Sequence, residues 1–234
     1  MKKGLKNILV FIIVIGGLFV VNSFLCMESQ KTNSKENKFN LNSKDNLINE
    51  DNNKIILVNR EYGLNKEYKP ENLTIPNIPF VDDVSNEEKH VAGIIVEPLE
   101  ELVNTAQEEG ITLLGNSAYR SYKSQKNIYN NRVKTVGKES ADAYVAKPGF
   151  SEHQTGVCID ITNEDKYFVK GTKEADWLAE NCYRFGFVIR YPYGKRNITG
   201  IEYEPWHIRY VGKKAAKYIY DNKITLEEYL GNQL

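Results

Sequence analysis

His153 and Asp160 stand seven residues apart with Gly156 between them, and His207 follows Glu204 by three residues across Pro205 and Trp206. These types and spacings suit a metal. A catalytic zinc takes three protein ligands from histidine and carboxylate side chains and keeps a fourth position open. Gly156 lets the chain turn between the first two donors. Asp160 lies in the run Val157-Cys158-Ile159-Asp160-Ile161, which alternates in the β manner. A carboxylate among apolar neighbours is costly unless it is paired or faces a cation. An edge strand with Asp160 turned to solvent is the other reading that alternation allows. His207 can be a third donor, and Glu204 a base that takes the proton from a water the metal makes more acidic. The alternative there is a core histidine beside a surface glutamate. His90 follows Glu87, Glu88 and Lys89 without ligand-like neighbours, and reads as structural or exposed.

Two clusters hold these residues: Ser-x-His-x-x-Gly-x-x-x-Asp over 151–160, and Glu-Pro-Trp-His-x-Arg-Tyr-Val-Gly over 204–212. Together they resemble the VanY-type D-alanyl-D-alanine carboxypeptidases. That zinc peptidase group also includes L,D-carboxypeptidases and the hedgehog signalling domain. The likeness extends to Ser117-Ala118-Tyr119-Arg120-Ser121-Tyr122-Lys123-Ser124-Gln125, to Trp177-Leu178-Ala179-Glu180-Asn181, and to Phe185-Gly186-Phe187-Val188-Ile189-Arg190-Tyr191-Pro192. It spans roughly 88–212.

The resemblance implies one zinc per chain, held by His153, Asp160 and His207, with Glu204 as catalytic base. Arg120 matches the arginine that meets the substrate carboxylate or the developing oxyanion. Gln125 and Ser151 match polar residues that hold the peptide end. Cys158 departs from the pattern, since a small residue such as alanine is expected there. The implied reaction is hydrolysis of the terminal D-alanine from peptidoglycan stem peptides, D,D in the first instance. Two alternatives remain: an L,D-carboxypeptidase acting on tetrapeptide stems, and a non-catalytic zinc module that binds the cell wall. Glu204 separates the last from the other two.

The elements around these clusters can be read coarsely. Apolar residues at helical spacing predict one helix over 86–109, with Ser85 as N-cap, Glu88 as its capping-box partner and Gly110 as its stop, although Pro98 perturbs the pattern. Further helices are expected over 124–136, 140–146, 174–183, 213–221 and 226–230. Strands are expected over 111–120, 157–161, 187–191 and 206–211. Helices cluster early and strands late, with connections too varied for regular βαβ winding. The expected class is α+β, a small and mostly antiparallel sheet flanked by helices, which the resemblance identifies as hedgehog/DD-peptidase-like.

The chain has 234 residues, room for one domain and a tail. Its formal net charge is zero, which gives no electrostatic argument for nucleic acid. Lys2, Lys3 and Lys6 precede an apolar stretch that continues, with one polar interruption, to residue 27. This reads as a single-span anchor or signal segment over 1–27, with the basic flank inside and the catalytic domain extracellular, or secreted if the segment is cleaved. Lipidation at Cys26 is a further alternative. Residues 28–53 are polar and read as a disordered stalk, 54–84 as an extended lead-in arm, and 85–234 as the domain. Cys158 and Cys182 can pair or can be small buried residues. No feature of the chain specifies an oligomeric state.

Overall fold

A computed structural model describes residues 55–231; the expected anchor and stalk lie outside the described residues. In chain order the elements are β1 (Leu73–Thr74), β2 (Val91–Ala92), α1 (Val96–Glu108), β3 (Leu114–Ser117), α2 (Tyr122–Val136), α3 (Lys138–Tyr144), β4 (Cys158–Thr162), α4 (Lys173–Asn181), β5 (Phe187–Ile189), α5 (Arg196–Thr199), β6 (His207–Tyr210), α6 (Lys213–Asn222) and α7 (Leu226–Gly231). Strands β3, β4, β6 and β5 form one sheet in that order, with every neighbouring pair antiparallel. The class is α+β, as expected. Among the described residues, no helix is long and apolar enough to cross a membrane.

Alternation along the strands divides the work of the sheet. Ile159 and Ile161 of β4, Ile208 and Tyr210 of β6 and Phe187 of β5 join the main core. Leu99, Leu102, Val103 and Ala106 of α1 and Ala175 and Leu178 of α4 pack into the same core. Since successive side chains point to opposite faces, Cys158 and Asp160 of β4 and His207 and Arg209 of β6 share the other face. A second apolar cluster, built from Val188, Val211, Ala216, Ile219 and Leu226, seats α6 and α7.

The single helix expected over 86–109 is instead two short 3-10 turns, Glu87–Lys89 and Gly93–Ile95, split by β2, with α1 beginning only at Val96. Ser85 and Glu88 do make their reciprocal contact, but it opens a turn: the Glu88 N–H donates to Ser85 Oγ at 3.3 Å, and Ser85 Oγ donates to Glu88 Oε2 at 2.9 Å. Two long-range demands break the helix. Val91 and Ala92 pair with Thr74 and Leu73, and the Ala92 N–H donates to the Gly156 carbonyl at 2.8 Å. Pro98 then falls in the first turn of α1, where a missing N–H leaves nothing unpaired. The stop is as expected. Gly110 has φ +75°, its N–H donates to Gln107 O and that of Ile111 to Ala106 O, which satisfies two terminal carbonyls.

The lead-in segment is packed along the domain. Ile56, Val58, Leu64 and Tyr68 form a small buried cluster. Further on, the Val81 N–H donates to Gly115 O at 3.0 Å and the Gly115 N–H to Pro79 O at 2.9 Å. Phe80 lies flat against Gly115, so close that a Cβ there would meet the ring at 2.6 Å. Gly115→Ala must therefore push the arm off β3. We expect it to lower stability by about 1–3 kcal/mol in urea titration; unchanged stability would show that the Phe80 contact holds nothing in place.

Candidate active site

Strand register brings the first two site residues together. Asp160 lies directly opposite His207 across β4 and β6, and opposite Ser117 across β3 and β4. His207 Nδ1 meets Asp160 Oδ1 at 2.8 Å. His153 arrives from the 3-10 turn Glu152–Thr155, which ends at Gly156 in the left-handed region with φ +70°. A side chain at 156 would also strike Pro70 at 2.9 Å, so glycine is needed there twice over. The turn sets His153 Nε2 at 3.5 Å from Asp160 Oδ2, while Nδ1 donates to the Ala118 carbonyl at 2.7 Å. A carbonyl only accepts, so Nδ1 carries a proton and Nε2 is the nitrogen that faces the carboxylate. The two imidazoles meet edge to face at 5.0 Å between centroids.

Cys158 joins the cluster. One donor atom from each of His153, Cys158 and His207 lies within 4.8 Å of the others, and all three residues are buried. Burial works against charge on both imidazoles, yet Cys158 and Asp160 outweigh it, and His207 is raised well above its usual pKa. Burial likewise opposes ionisation of Cys158, but the two histidines bring its thiol down to about 7. Two buried imidazoles that attract charge, a buried thiol and the half-buried Asp160 carboxylate form a donor set that fits a cation such as zinc. The Ala118 carbonyl behind His153 is the kind of outer partner that orients a metal-binding imidazole.

Glu152 is the residue that sequence reading missed. Its buried carboxylate accepts from Arg190 Nε at 2.8 Å and Arg209 Nη1 at 2.6 Å through Oε1, and meets His207 Nε2 at 3.3 Å through Oε2. Burial would raise its pKa; the two guanidinium groups hold it far below the usual carboxylate range instead. By accepting from His207 Nε2, Glu152 orients the ring so that Nδ1 is the nitrogen that faces Asp160. Arg190 also forms a two-pronged pair with Glu227 of α7, at 2.9 and 2.6 Å. The available signal was Arg190 and Arg209, two charges in otherwise apolar strand segments.

Arg120 is held from behind. Nε and Nη2 both donate to Glu88 Oε1 at 3.2 Å, Nη2 donates to Ser117 Oγ at 2.7 Å, and Nη1 donates to Gln125 Oε1 at 3.1 Å. Its backbone N–H donates to the His153 carbonyl. A guanidinium has five N–H groups, so one on Nη1 is left for a ligand. Gln125 is anchored in turn by its Nε2, which donates to Ala146 O at 2.7 Å. It thus orients Arg120. Glu88, read from the sequence only as a capping residue, is the counter-charge of that arginine.

Glu204 stands beside the cluster with no side-chain hydrogen bond among the described residues. Its backbone is fixed by Tyr191 O, which accepts from the Glu204 N–H at 3.2 Å. Burial raises its pKa, His207 lowers it, and Asp160 raises it again, with a net rise. The Tyr191 ring lies 5.1 Å from His207, and its phenol is also pushed up, by burial first and by Glu152 next.

Every site residue singled out from the sequence lines one cleft of about 420 Å³: Arg120, Gln125, Ser151, His153, Asp160, Glu204 and His207. Asn59 and Arg60 of the arm, Tyr144 of α3, Tyr191 and Trp206 also line its wall. His90 lies elsewhere, with Nδ1 bonded to the Asn86 carbonyl. Cys158 and Cys182 are both free and buried, so they do not pair. Cys182 sits in the apolar core, and burial pushes its thiol up to about 12. A second cavity of about 530 Å³, lined by Tyr183, Tyr193 and Tyr220 among others, has no comparable donor cluster among the described residues.

Glu152→Gln should lower stability by about 3–5 kcal/mol at neutral pH, because it leaves the buried Arg209 guanidinium without its carboxylate partner and Arg190 with Glu227 alone. The depressed pKa also sets a pH signature. Stability from the Glu152 carboxylate is fully present above its unfolded pKa of about 4.3, and is lost as pH falls toward the lower folded value. Urea midpoints measured from pH 6 to pH 2.5 should fall more steeply for wild type than for the variant. Parallel curves would mean that Glu152 does not carry this charge.

Comparison with known proteins agrees with the geometry. The VanY family model, described as D-alanyl-D-alanine carboxypeptidase, matches residues 88–213. YodJ of Bacillus subtilis (strain 168) is 40% identical over 217 residues, covering 86% of this chain and 80% of that one. The solved LdcB LD-carboxypeptidase is similar at a TM-score of 0.71 and 42% identity, over 75% of this chain and 84% of that one. A vancomycin-resistance D,D-pentapeptidase VanY variant, solved in complex with Zn(II), is similar at a TM-score of 0.63 and 38% identity, over 75% of this chain and 97% of that one. With one fold, one donor cluster and a family match across the domain, the chain belongs to the VanY family of D-alanyl-D-alanine carboxypeptidases.

Proposed function

We propose that this chain is a zinc-dependent carboxypeptidase that removes the terminal D-alanine from peptidoglycan stem peptides, with D-Ala-D-Ala ends as first substrate. The observation that carries the reading is Glu204: a carboxylate of raised pKa, without a side-chain partner among the described residues, beside His153, Asp160 and His207 in one cleft. Those three residues would hold the zinc. When bound, zinc supplies Lewis acidity, which polarises a carbonyl oxygen and makes water a stronger acid. Glu204 takes the proton of the water that attacks the terminal peptide carbonyl, then delivers it to the departing D-alanine amine. Arg120 offers its remaining Nη1 N–H to the substrate carboxylate or the developing oxyanion. Gln125 and Glu88 keep that guanidinium aimed, and Ser151 lines the floor near the peptide end.

A second reading, cleavage of tetrapeptide stems after an L-centre, is supported by the likeness to the LdcB LD-carboxypeptidase, which has the higher TM-score of the two solved structures. For location, we propose that residues 1–27 anchor the chain in the cell membrane with its domain outside. The three lysines ahead of the apolar stretch support this orientation.

The test is D-alanine release, followed by mass spectrometry, from a pentapeptide stem ending in D-Ala-D-Ala and a tetrapeptide stem ending in one D-Ala. We expect the zinc-loaded chain to shorten the pentapeptide faster. Glu204→Gln should still bind one zinc but lose about 10²–10⁴-fold in turnover. If neither stem shortens while one equivalent of zinc is bound, a non-catalytic wall-binding module becomes the better reading. Arg120→Ala should lower kcat/KM for a free-acid peptide about 10- to 100-fold. A peptide amidated at its C-terminus should lose a similar factor with wild type and little more with the variant. Equal losses from the variant on both peptides would remove Arg120 from carboxylate recognition.

A further inference from the structure

Two cysteines are buried in the domain, in opposite surroundings. Cys182 packs in the apolar core with Leu178 and Phe185. Cys158 is just as inaccessible but belongs to none of the apolar clusters. It sits on β4 two residues before Asp160, and so on the same strand face, opposite Arg209 of β6. What it meets there is the pair of imidazoles. Its Sγ and one nitrogen each of His153 and His207 are mutually within 4.8 Å. On tetrahedral zinc, with Zn–N of about 2.0–2.1 Å and Zn–S of about 2.3 Å, neighbouring donor atoms are themselves about 3.3–3.8 Å apart. The sulfur is thus within a small side-chain adjustment of bonding distance to an ion held by the two histidines.

We propose that Cys158 is a direct ligand of the metal, which gives this chain a mixed sulfur, nitrogen and oxygen centre. The inference rests on the zinc reading above and adds a donor to it. On binding, the Cys158 thiol releases its proton to solvent and bonds as thiolate. Asp160 stays beside both imidazoles, so β4 supplies two donors, one soft and one hard, from alternate positions on one face. A thiolate beside two imidazoles biases the site toward zinc and other soft ions and away from magnesium or manganese.

Cobalt(II) reports the sulfur directly. The full-length chain loaded with one equivalent of cobalt should show visible d–d bands and an intense near-ultraviolet thiolate-to-cobalt band. Cys158→Ala and Cys158→Ser should abolish the near-ultraviolet band and keep the visible ones, and Cys182→Ala should leave both. X-ray absorption of the zinc-loaded wild type needs no variant to fold, and should show one sulfur at about 2.3 Å. Visible bands without the near-ultraviolet band, or zinc scattering fitted by nitrogen and oxygen alone, would overturn the proposal while leaving the zinc reading intact. Failure to take up either metal would overturn both.

Discussion

The Glu152 carboxylate is the interaction on which the rest of the site depends. One side chain accepts from Arg190 just beyond β5 and from Arg209 of β6, and meets the His207 imidazole. Through Arg190 it reaches Glu227 of α7, and through Arg209 Nη2 it reaches the Ile56 carbonyl of the lead-in arm at 2.7 Å. Its own backbone neighbour is His153. Buried charges are expensive, and a network like this is tolerated only in the one geometry that pairs all of them. That requirement ties the far ends of the described chain to the two imidazoles.

The cleft shows how the same sheet serves packing and chemistry. One face carries isoleucine and aromatic side chains into the core beneath α1 and α4, and the other carries Cys158, Asp160, His207 and Arg209. A one-residue slip of β6 against β4 would part Asp160 from His207 and move Arg209 away from Glu152. The core residues that set the register therefore also set the spacing of the donors. On the opposite wall, Glu88 does for Arg120 what Glu152 does for His207: a carboxylate behind a functional group fixes where it points.

The chemistry-bearing residues were legible because such types are scarce and their spacing is local. Ser-x-His-x-x-Gly-x-x-x-Asp and Glu-Pro-Trp-His each fit within one short segment, and the cleft gathers all seven residues drawn from these motifs and from 117–125. The core α1 face, the Gly110 stop and the strand segments were legible for the same reason, as periodicity within a short window. What escaped were the long-range pairings. Glu152 reads as an ordinary acidic residue until Arg190 and Arg209, 38 and 57 positions away, close on it. Ser85 and Glu88 read as a helix start, but β1 claimed Val91 and Ala92 and the helix began beyond them. The 54–84 segment read only as an extended lead-in arm. Its contribution of Asn59 and Arg60 to the cleft wall depends on contacts distant in sequence and was invisible for that reason.

The most direct test of this account is an anomalous difference map at the zinc edge from crystals of the zinc-loaded chain. The account predicts a single peak bounded by His153 Nε2, the Asp160 carboxylate and His207 Nδ1, with Cys158 Sγ on its β4 side, Glu204 facing it across the side left open and Glu152 still on His207 Nε2. A peak held by Glu204 itself, one bonded through His207 Nε2, or one outside this cleft would contradict it.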